Sequence, residues 1–382
     1  VDNNIVQMDF YICDTTLRDG EQVTGVRYTL ENKVEIAKKM AEIGIESIDA
    51  GFAATSSEER RAIKAICDMN LDMRIMSMCR VVKSDVDYAL ECGVDGVILF
   101  MPGSDIHIRA KFDGEISSNR QRLIDNSIEM IKYAKDKGLF VEFGVEDASR
   151  TEIEILLEIL QRAEESGADA LGTTDTVGYL TPERTYRFIK KLTDTLKKPV
   201  GVHCHNDCGL ATANTIAGLL AGGGYCSPTV NGYGERAGNA ALEELLVALK
   251  VLYNQDLKYN LKKLNELSQL VQSFSGIKSD IFKPIVGDNV FSHESGIHIH
   301  GMMKDIKTYE VFPPEMVGRK RKFVLGKHAG KHLVQNIMER FGYHLSEEQA
   351  RTVLKELKKM EEEGKSCLEE DVIRIYQKMY TI

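Results

Sequence analysis

The sequence predicts an α/β fold, a (β/α)8 TIM barrel followed by a C-terminal helical accessory region. Three observations point to it. Short segments rich in Val, Ile, Phe and Gly alternate with amphipathic stretches through residues 8–250. The amphipathic stretches often close on a glycine, the residue that tolerates the left-handed cap of a helix. Polar and ionisable residues gather just after the apolar segments instead of scattering among the helices. Alternation of this kind calls for a parallel sheet covered by helices, and eight units suggest closure. A doubly wound open sheet is the competitor. It would be favoured by a glycine-rich phosphate turn after the first strand, and "DTTLRDGEQ" is not one.

In order, the strand segments are "FYICDTT", "ESIDAGF", "MRIMSMC", "GVILFMP", "LFVEFGV", "ALGTTDT", "PVGVHCH" and "CSPTVNG". In the first intervening stretch, "ENKVEIAKKMAEIGI", Val34, Ala37, Met40 and Ala41 fall on one helical face. The glycine stops read "EIG", "ECG", "DKG" and "ESG", and the eighth helix is expected near 240–253. From about Asp256 the texture changes. Residues 260–275 read as helix, 282–304 mix Gly, His and Ser, and 345–382 is charged and helix-rich. The expected division is a catalytic barrel over 1–255 and a linker with accessory helices over 256–382.

A chain of 382 residues is long enough for one large core and a smaller one. Its formal charge of −9, with both signs interspersed, argues against a nucleic-acid surface. The first residues lack a basic-then-apolar leader, and no apolar run is long enough to span a bilayer. The eight cysteines include no CxxC pair and read as reduced thiols, so a cytoplasmic setting is expected. Cys204 and Cys208 read as small buried residues.

In a barrel of this kind, chemistry gathers at the C-terminal ends of the strands. Those ends carry Asp14, Arg18, Asp19 and Gln22, then Asp49, Arg80, Glu142, Glu146 and Asp147, then Asp175 and Thr176, then "HCHND" and "NGYGERAGN". His203 and His205 stand two apart on a strand, so both imidazoles face one side of the sheet. With Asp19 and Asn239 they make a donor set suited to a divalent metal, with zinc, manganese, magnesium and cobalt all open. Asp207 reads either as a partner orienting an imidazole or as a helix cap.

Three motifs, "DTTLRDGEQ", "HCHNDCGLATAN" and "NGYGERAGNAALEE", resemble the metal-dependent barrel enzymes that make or break acyl-CoA-derived carbon–carbon bonds. That family includes isopropylmalate, homocitrate and citramalate synthases and hydroxymethylglutaryl-CoA lyase. The likeness extends into "VFSHESGIHIHG" and "VLGKHAG", which are similar to the synthases' accessory region and are not expected in the lyases. "MCRV", "FGVEDASR" and "PEMVGRKRKFVLGKHAG" resemble homocitrate synthases of the nitrogen-fixation type.

The resemblance implies that Asp19, His203, His205 and Asn239 hold the metal, which chelates a 2-oxo acid as a Lewis acid. It implies that Arg18 stabilises the developing alkoxide. It implies that His298, with the catalytic Glu146, removes a proton from the methyl group of acetyl-CoA. His298 would reach the barrel from a partner subunit, so a homodimer is expected. Gln22 and Thr176 would bind substrate, Thr176 through the carboxylate. Arg80 is a candidate for a distal carboxylate, against a salt bridge to a loop acid. His293 and His300 read as structural. Glu142 and Gly144 stand where several homocitrate synthases carry Arg and Ser, which removes one familiar carboxylate anchor. The expected acid is 2-oxoglutarate, giving homocitrate and CoA. Isopropylmalate, citramalate and Re-type citrate synthesis are the alternatives, followed by a metal-dependent acyl-CoA lyase and, last, a non-catalytic binding protein on a retained barrel.

Overall fold

The computed structural model describes residues 7–324, 329–363 and 367–380. Eight strands form a closed parallel barrel. They are β1 (Tyr11–Asp14), β2 (Ser47–Asp49), β3 (Arg74–Arg80), β4 (Gly96–Pro102), β5 (Phe140–Glu146), β6 (Ala170–Asp175), β7 (Val200–Cys204) and β8 (Tyr225–Cys226). Five lie within their predicted segments, β3 and β5 run one residue past theirs, and β8 shares only Cys226 with its segment because pairing with β1 and β7 begins at Tyr225. The open-sheet alternative fails because β8 pairs back on β1, Tyr11 opposite Tyr225 and Ile12 opposite Cys226.

A helix follows every strand, from Leu30–Ile43 after β1 to Leu242–Val251 after β8. The first helix shows how the local sequence sets its bounds. Thr29 caps the N-terminus by accepting from Asn32 N, while the Asn32 side chain accepts from Thr29 N. Gly44 ends the helix at φ 92°, a left-handed conformation that costs a residue with a Cβ. The buried face is Lys33, Ile36, Ala37, Met40 and Ile43, one step round from the expected stripe, with Val34 and Ala41 only half-buried. Full burial of Ile36 contributes roughly 1.5–3 kcal/mol. Lys33 joins this face because its Nζ is gripped by Glu21 and Glu59, each at 2.7 Å, and donates to the Leu17 carbonyl at 3.1 Å.

The chain divides between Lys278 and Ser279, and not at the composition change near Asp256. The reason is the helix Leu264–Ser275, which packs on the first barrel helix. Its Ser268 hydroxyl also donates to Asn231 in the loop beyond β8. The second unit, from Ser279 onward, holds a parallel pair, β9 (Ser292–His293) and β10 (Lys322–Phe323). Helices Lys331–Arg340, Glu347–Glu362 and Glu369–Tyr380 close on Leu333, Val334, Ile337, Met338, Val353 and Leu357. Among the described residues, no helix is long and apolar enough to cross a membrane. All eight cysteines are free. Cys204 is buried, but Cys208 is exposed because it falls in the turn after β7.

Candidate active site

The turn after β1 folds on a single acceptor. The Thr15 carbonyl takes the backbone N–H groups of Arg18, Asp19 and Gly20, at 3.3, 2.9 and 3.1 Å. This winds Asp19–Glu21 into a short 3-10 helix and turns both charged side chains over the barrel mouth. Arg18 donates from Nε to Asp49 Oδ2 at the end of β2, 2.8 Å away, and stands 3.6 Å from Asp19. Burial alone would raise the Asp19 carboxyl. Arg18 and His203 outweigh it and hold that carboxyl well below the usual range.

His203 and His205 share one face, as period-two geometry requires. His203 Nδ1 lies 2.9 Å from the Ser227 carbonyl, which can only accept, so Nδ1 carries a proton and Nε2 is the ring atom left for a metal whenever the ring is neutral. That Nε2 is 3.3 Å from Asp19 Oδ2 and 3.4 Å from His205 Nε2. Burial, with His203 adding to it, lowers the His205 pKa to about 4. One ligand atom from each of Asp19, His203 and His205 lies within 4.8 Å of the other two. Asn239 is brought up by a backbone bridge to His205. Its Nδ2 donates to Asp19 Oδ2 at 2.8 Å and to the Tyr233 carbonyl at 3.0 Å, while its buried Oδ1 has no hydrogen-bond partner. Lone-pair donors crowded this closely, with an orphaned amide oxygen beside them, fit a cation between them.

Asp19, His203 and His205 line a cavity of about 340 Å³, and Asn239 stands behind Asp19 outside the lining. Arg18, Asp19, Gln22, Glu146, Thr176, His203 and His205 all line it. The Thr176 hydroxyl accepts from the Asp147 backbone N–H at 2.9 Å, which leaves its own proton to donate. Arg80 is not among the lining residues. It ends β3 with its guanidinium turned outward, paired to Asp85 by Nε at 2.8 Å and Nη2 at 2.9 Å. This is a salt bridge, as the second reading had it, but to an acid in the first turn of the helix Lys83–Cys92 and not in a loop. Asp207 neither orients an imidazole nor caps a helix; Arg236 holds it through Nε at 2.7 Å and Nη2 at 3.0 Å. Asp175 is spent on the backbone of Tyr179 and Leu180 and on the Ser149 hydroxyl.

In the second unit, His298 is exposed on the helix Gly296–Lys304 and stacks on Tyr309, centroids 4.0 Å apart and planes at 22°. His293 lies 3.2 Å from Glu310, which Arg321 also holds.

Of the far wall, the sequence pointed only to Glu142 and Gly144. Gly144, Gly172 and Gly201 are neighbours in register across β5, β6 and β7, and Tyr225 on β8 follows them. A Cβ on Gly201 would lie 2.0 Å from Tyr225 Cζ, so the missing side chain is what lets the phenol lie across the barrel. Glu142 points into the same hollow, and burial raises its pKa to about 7.

The residues 9–271 match the family model described as HMGL-like, and 285–365 match that described as homocitrate synthase post-HMGL domain-like. The chain belongs to the HMGL-like family. It is an enzyme of the group that holds the isopropylmalate and homocitrate synthases and the HMG-CoA lyases. Over 95% of its length it is 46% identical to "Homocitrate synthase AksA" of Methanocaldococcus jannaschii, covering 89% of that protein. It is 44% identical over 98% of its length to the "Putative (R)-citramalate synthase CimA" of Archaeoglobus fulgidus, covering 76%. It is 46% identical over 93% to the "Probable 2-isopropylmalate synthase" of Methanopyrus kandleri, covering 70%. Among solved structures, hydroxymethylglutaryl-CoA lyase from Pseudomonas aeruginosa superposes with a TM-score of 0.64 at 18% identity, covering 72% of this chain and 95% of the lyase. That likeness bears on the fold alone.

Proposed function

We propose that this enzyme condenses acetyl-CoA with a 2-oxo acid, consuming water and releasing CoA, with 2-oxoglutarate as the acid and homocitrate as the product. The observation that carries the reading is the meeting of Asp19, His203 and His205 beside the Arg18 guanidinium at one end of the cavity. Asp19, His203, His205 and the Asn239 amide oxygen would hold a divalent metal. When bound, that ion supplies Lewis-acid polarisation of the oxo group. Arg18 places positive charge where the carbonyl oxygen becomes an alkoxide. Gln22 and Thr176 orient the acid, Thr176 by donating its hydroxyl to the carboxylate. His298 removes the methyl proton of acetyl-CoA, and Glu146 serves that step as the barrel's carboxylate. The resulting enolate carbon bonds to the oxo carbon, and hydrolysis of the thioester makes the sequence irreversible. His298 comes from the accessory unit of a second copy, so the active form is a homodimer working in the cytoplasm.

A second reading of the acid rests on the hollow. Its two guanidiniums are already paired, Arg18 with Asp49 and Arg236 with Asp207, and Glu142 adds a carboxyl to the wall. These features favour an acid with a short uncharged tail, such as pyruvate. Thiol release from acetyl-CoA with a divalent metal, offered 2-oxoglutarate, pyruvate, 2-oxoisovalerate or oxaloacetate, separates the two. Preference for 2-oxoglutarate supports homocitrate synthesis. Preference for another acid keeps the condensation and discards that product, and silence with all four refutes the reading. Mixing D19A with H298A, each inactive alone, restores activity only if His298 acts across subunits.

A further inference from the structure

We propose that His107 and Lys111 are positioning residues for Glu146: they hold one oxygen of its carboxylate so that the other is presented to the cavity. The inference rests on the role given to Glu146 above and extends it to two residues that carry no assigned part.

Both residues lie on the short helix Asp105–Lys111 that follows β4. Four positions apart, they share one helical face. Pro102, near the start of that connection, is the register partner of Glu146 at the end of β5, so the helix rises beside the Glu146 side chain. The Lys111 ammonium pairs with Glu146 Oε2, and His107 Nδ1 lies 3.4 Å from the same oxygen. Both contacts fall on Oε2. Glu146 itself lines the cavity, whereas neither His107 nor Lys111 does. A half-exposed ion pair adds little to stability, so its value lies in where it holds the carboxylate.

The helix is in turn tied to the residue after Glu146. Asp147 is fully buried and sits at φ 58°, ψ 34°, a left-handed conformation that is uncommon outside glycine. That turn brings its carboxylate under the helix start. There Oδ2 accepts from the Ser104 hydroxyl, and Ser104 Oγ accepts from the His107 backbone N–H at 3.2 Å as the N-cap. His107 Nε2 lies 3.6 Å from the same Asp147 oxygen, and Arg150 holds the other oxygen at 2.8 Å. The imidazole therefore stands between two consecutive carboxylates. Its Nδ1 is buried and makes no hydrogen bond, so the 3.4 Å approach to Glu146 is a contact of charge and not a hydrogen bond. A carboxylate held at one oxygen by a point charge and an imidazole is aimed, and aim governs rate: misplacement of a reacting group by about 1 Å can cost on the order of a hundredfold.

The test is steady-state kinetics on the full-length, metal-loaded enzyme with acetyl-CoA and the acid it turns over, comparing H107A, K111A, K111R, E146Q and the double variant K111A/E146Q. The expected result is a loss of about ten- to a hundredfold in kcat for H107A and K111A, with the KM of the 2-oxo acid unchanged, substantial recovery in K111R, and a double variant no slower than E146Q alone. Because K111A alters a half-exposed residue, it remains informative if H107A folds poorly. Wild-type kcat in K111A and H107A, with E146Q inactive, overturns the grip and leaves the proposed function standing. Additive losses in K111A/E146Q also overturn it, since Lys111 would then act elsewhere. E146Q turning over at the wild-type rate refutes the role of Glu146, and this proposal with it.

Discussion

Replacing Glu142 by Gln removes a carboxyl that the barrel buries almost completely. In the folded protein burial raises its pKa from the ordinary 4.5 to about 7. Tyr225, Arg18 and Arg74 partly offset that rise, and Asp49 adds to it. The folded state therefore holds this proton more tightly than the unfolded chain does. Between pH 4.5 and about 7 the native protein binds more protons, so stability falls as pH rises through that window and stays low above it. The shift is between two and three pH units, and at roughly 1.4 kcal/mol per unit the penalty is about 3 kcal/mol at pH 8. At pH 5 most of it is absent, and it is under about 1 kcal/mol. Glutamine has the same shape and no charge, so E142Q is expected to be about 3 kcal/mol more stable than the natural chain at pH 8 and nearly equal to it at pH 5. Asp14, also raised to about 7 by burial, has the same pH dependence in both proteins and cancels from the comparison. Urea denaturation followed by circular dichroism at the two pH values, with metal removed, gives the difference. An equal gain at both pH values, or no gain at pH 8, refutes the assignment of a buried, proton-holding Glu142.

Three further outcomes follow from the same packing. Gly201→Ala drives a methyl group into the fully buried Tyr225 ring, whereas the nearest atom to a Cβ on Gly144 is 3.8 Å away. G201A should therefore lose about 1–3 kcal/mol in a denaturation experiment while G144A stays near the natural value; equal losses would show that the glycine row does not shape the hollow. Lys33→Met leaves Glu21 and Glu59 facing each other without their shared cation, and is expected to cost about 3–5 kcal/mol; a neutral result would mean that the two carboxyls relax freely to water. Arg80→Ala should leave the KM of the 2-oxo acid unchanged, because the guanidinium is committed to Asp85 outside the cavity lining. A tenfold rise in that KM would return Arg80 to the substrate.

What the sequence determined by itself is whatever depends on local periodicity or on chain order. Alternating apolar segments and glycine stops set the eight strands, because a βα unit is recognisable within its own thirty or so residues. His203 and His205 were legible as a pair because two residues on one strand face the same way whatever surrounds them. Asp19 was legible beside them because strand ends in a barrel meet at one rim. Other features depend on which neighbour fills a given space, and only the tertiary structure decided them. Arg80 also ends a strand, but whether it reached the cavity or Asp85 turned on the direction of one side chain. Lys33 lies outside the apolar face that periodicity predicts for the first helix, and it is buried because Glu21 and Glu59, from two other segments, close on it. Glu142 reads as a strand charge until the glycines beside it and Tyr225 enclose it. His107 and Lys111 lie well before Glu146 in the chain, and only the pairing of β4 with β5 brings them to one oxygen. Periodicity tells a residue which way it faces along its own element, but burial and charge pairing come from groups on other elements, whose positions exist only once the barrel has closed.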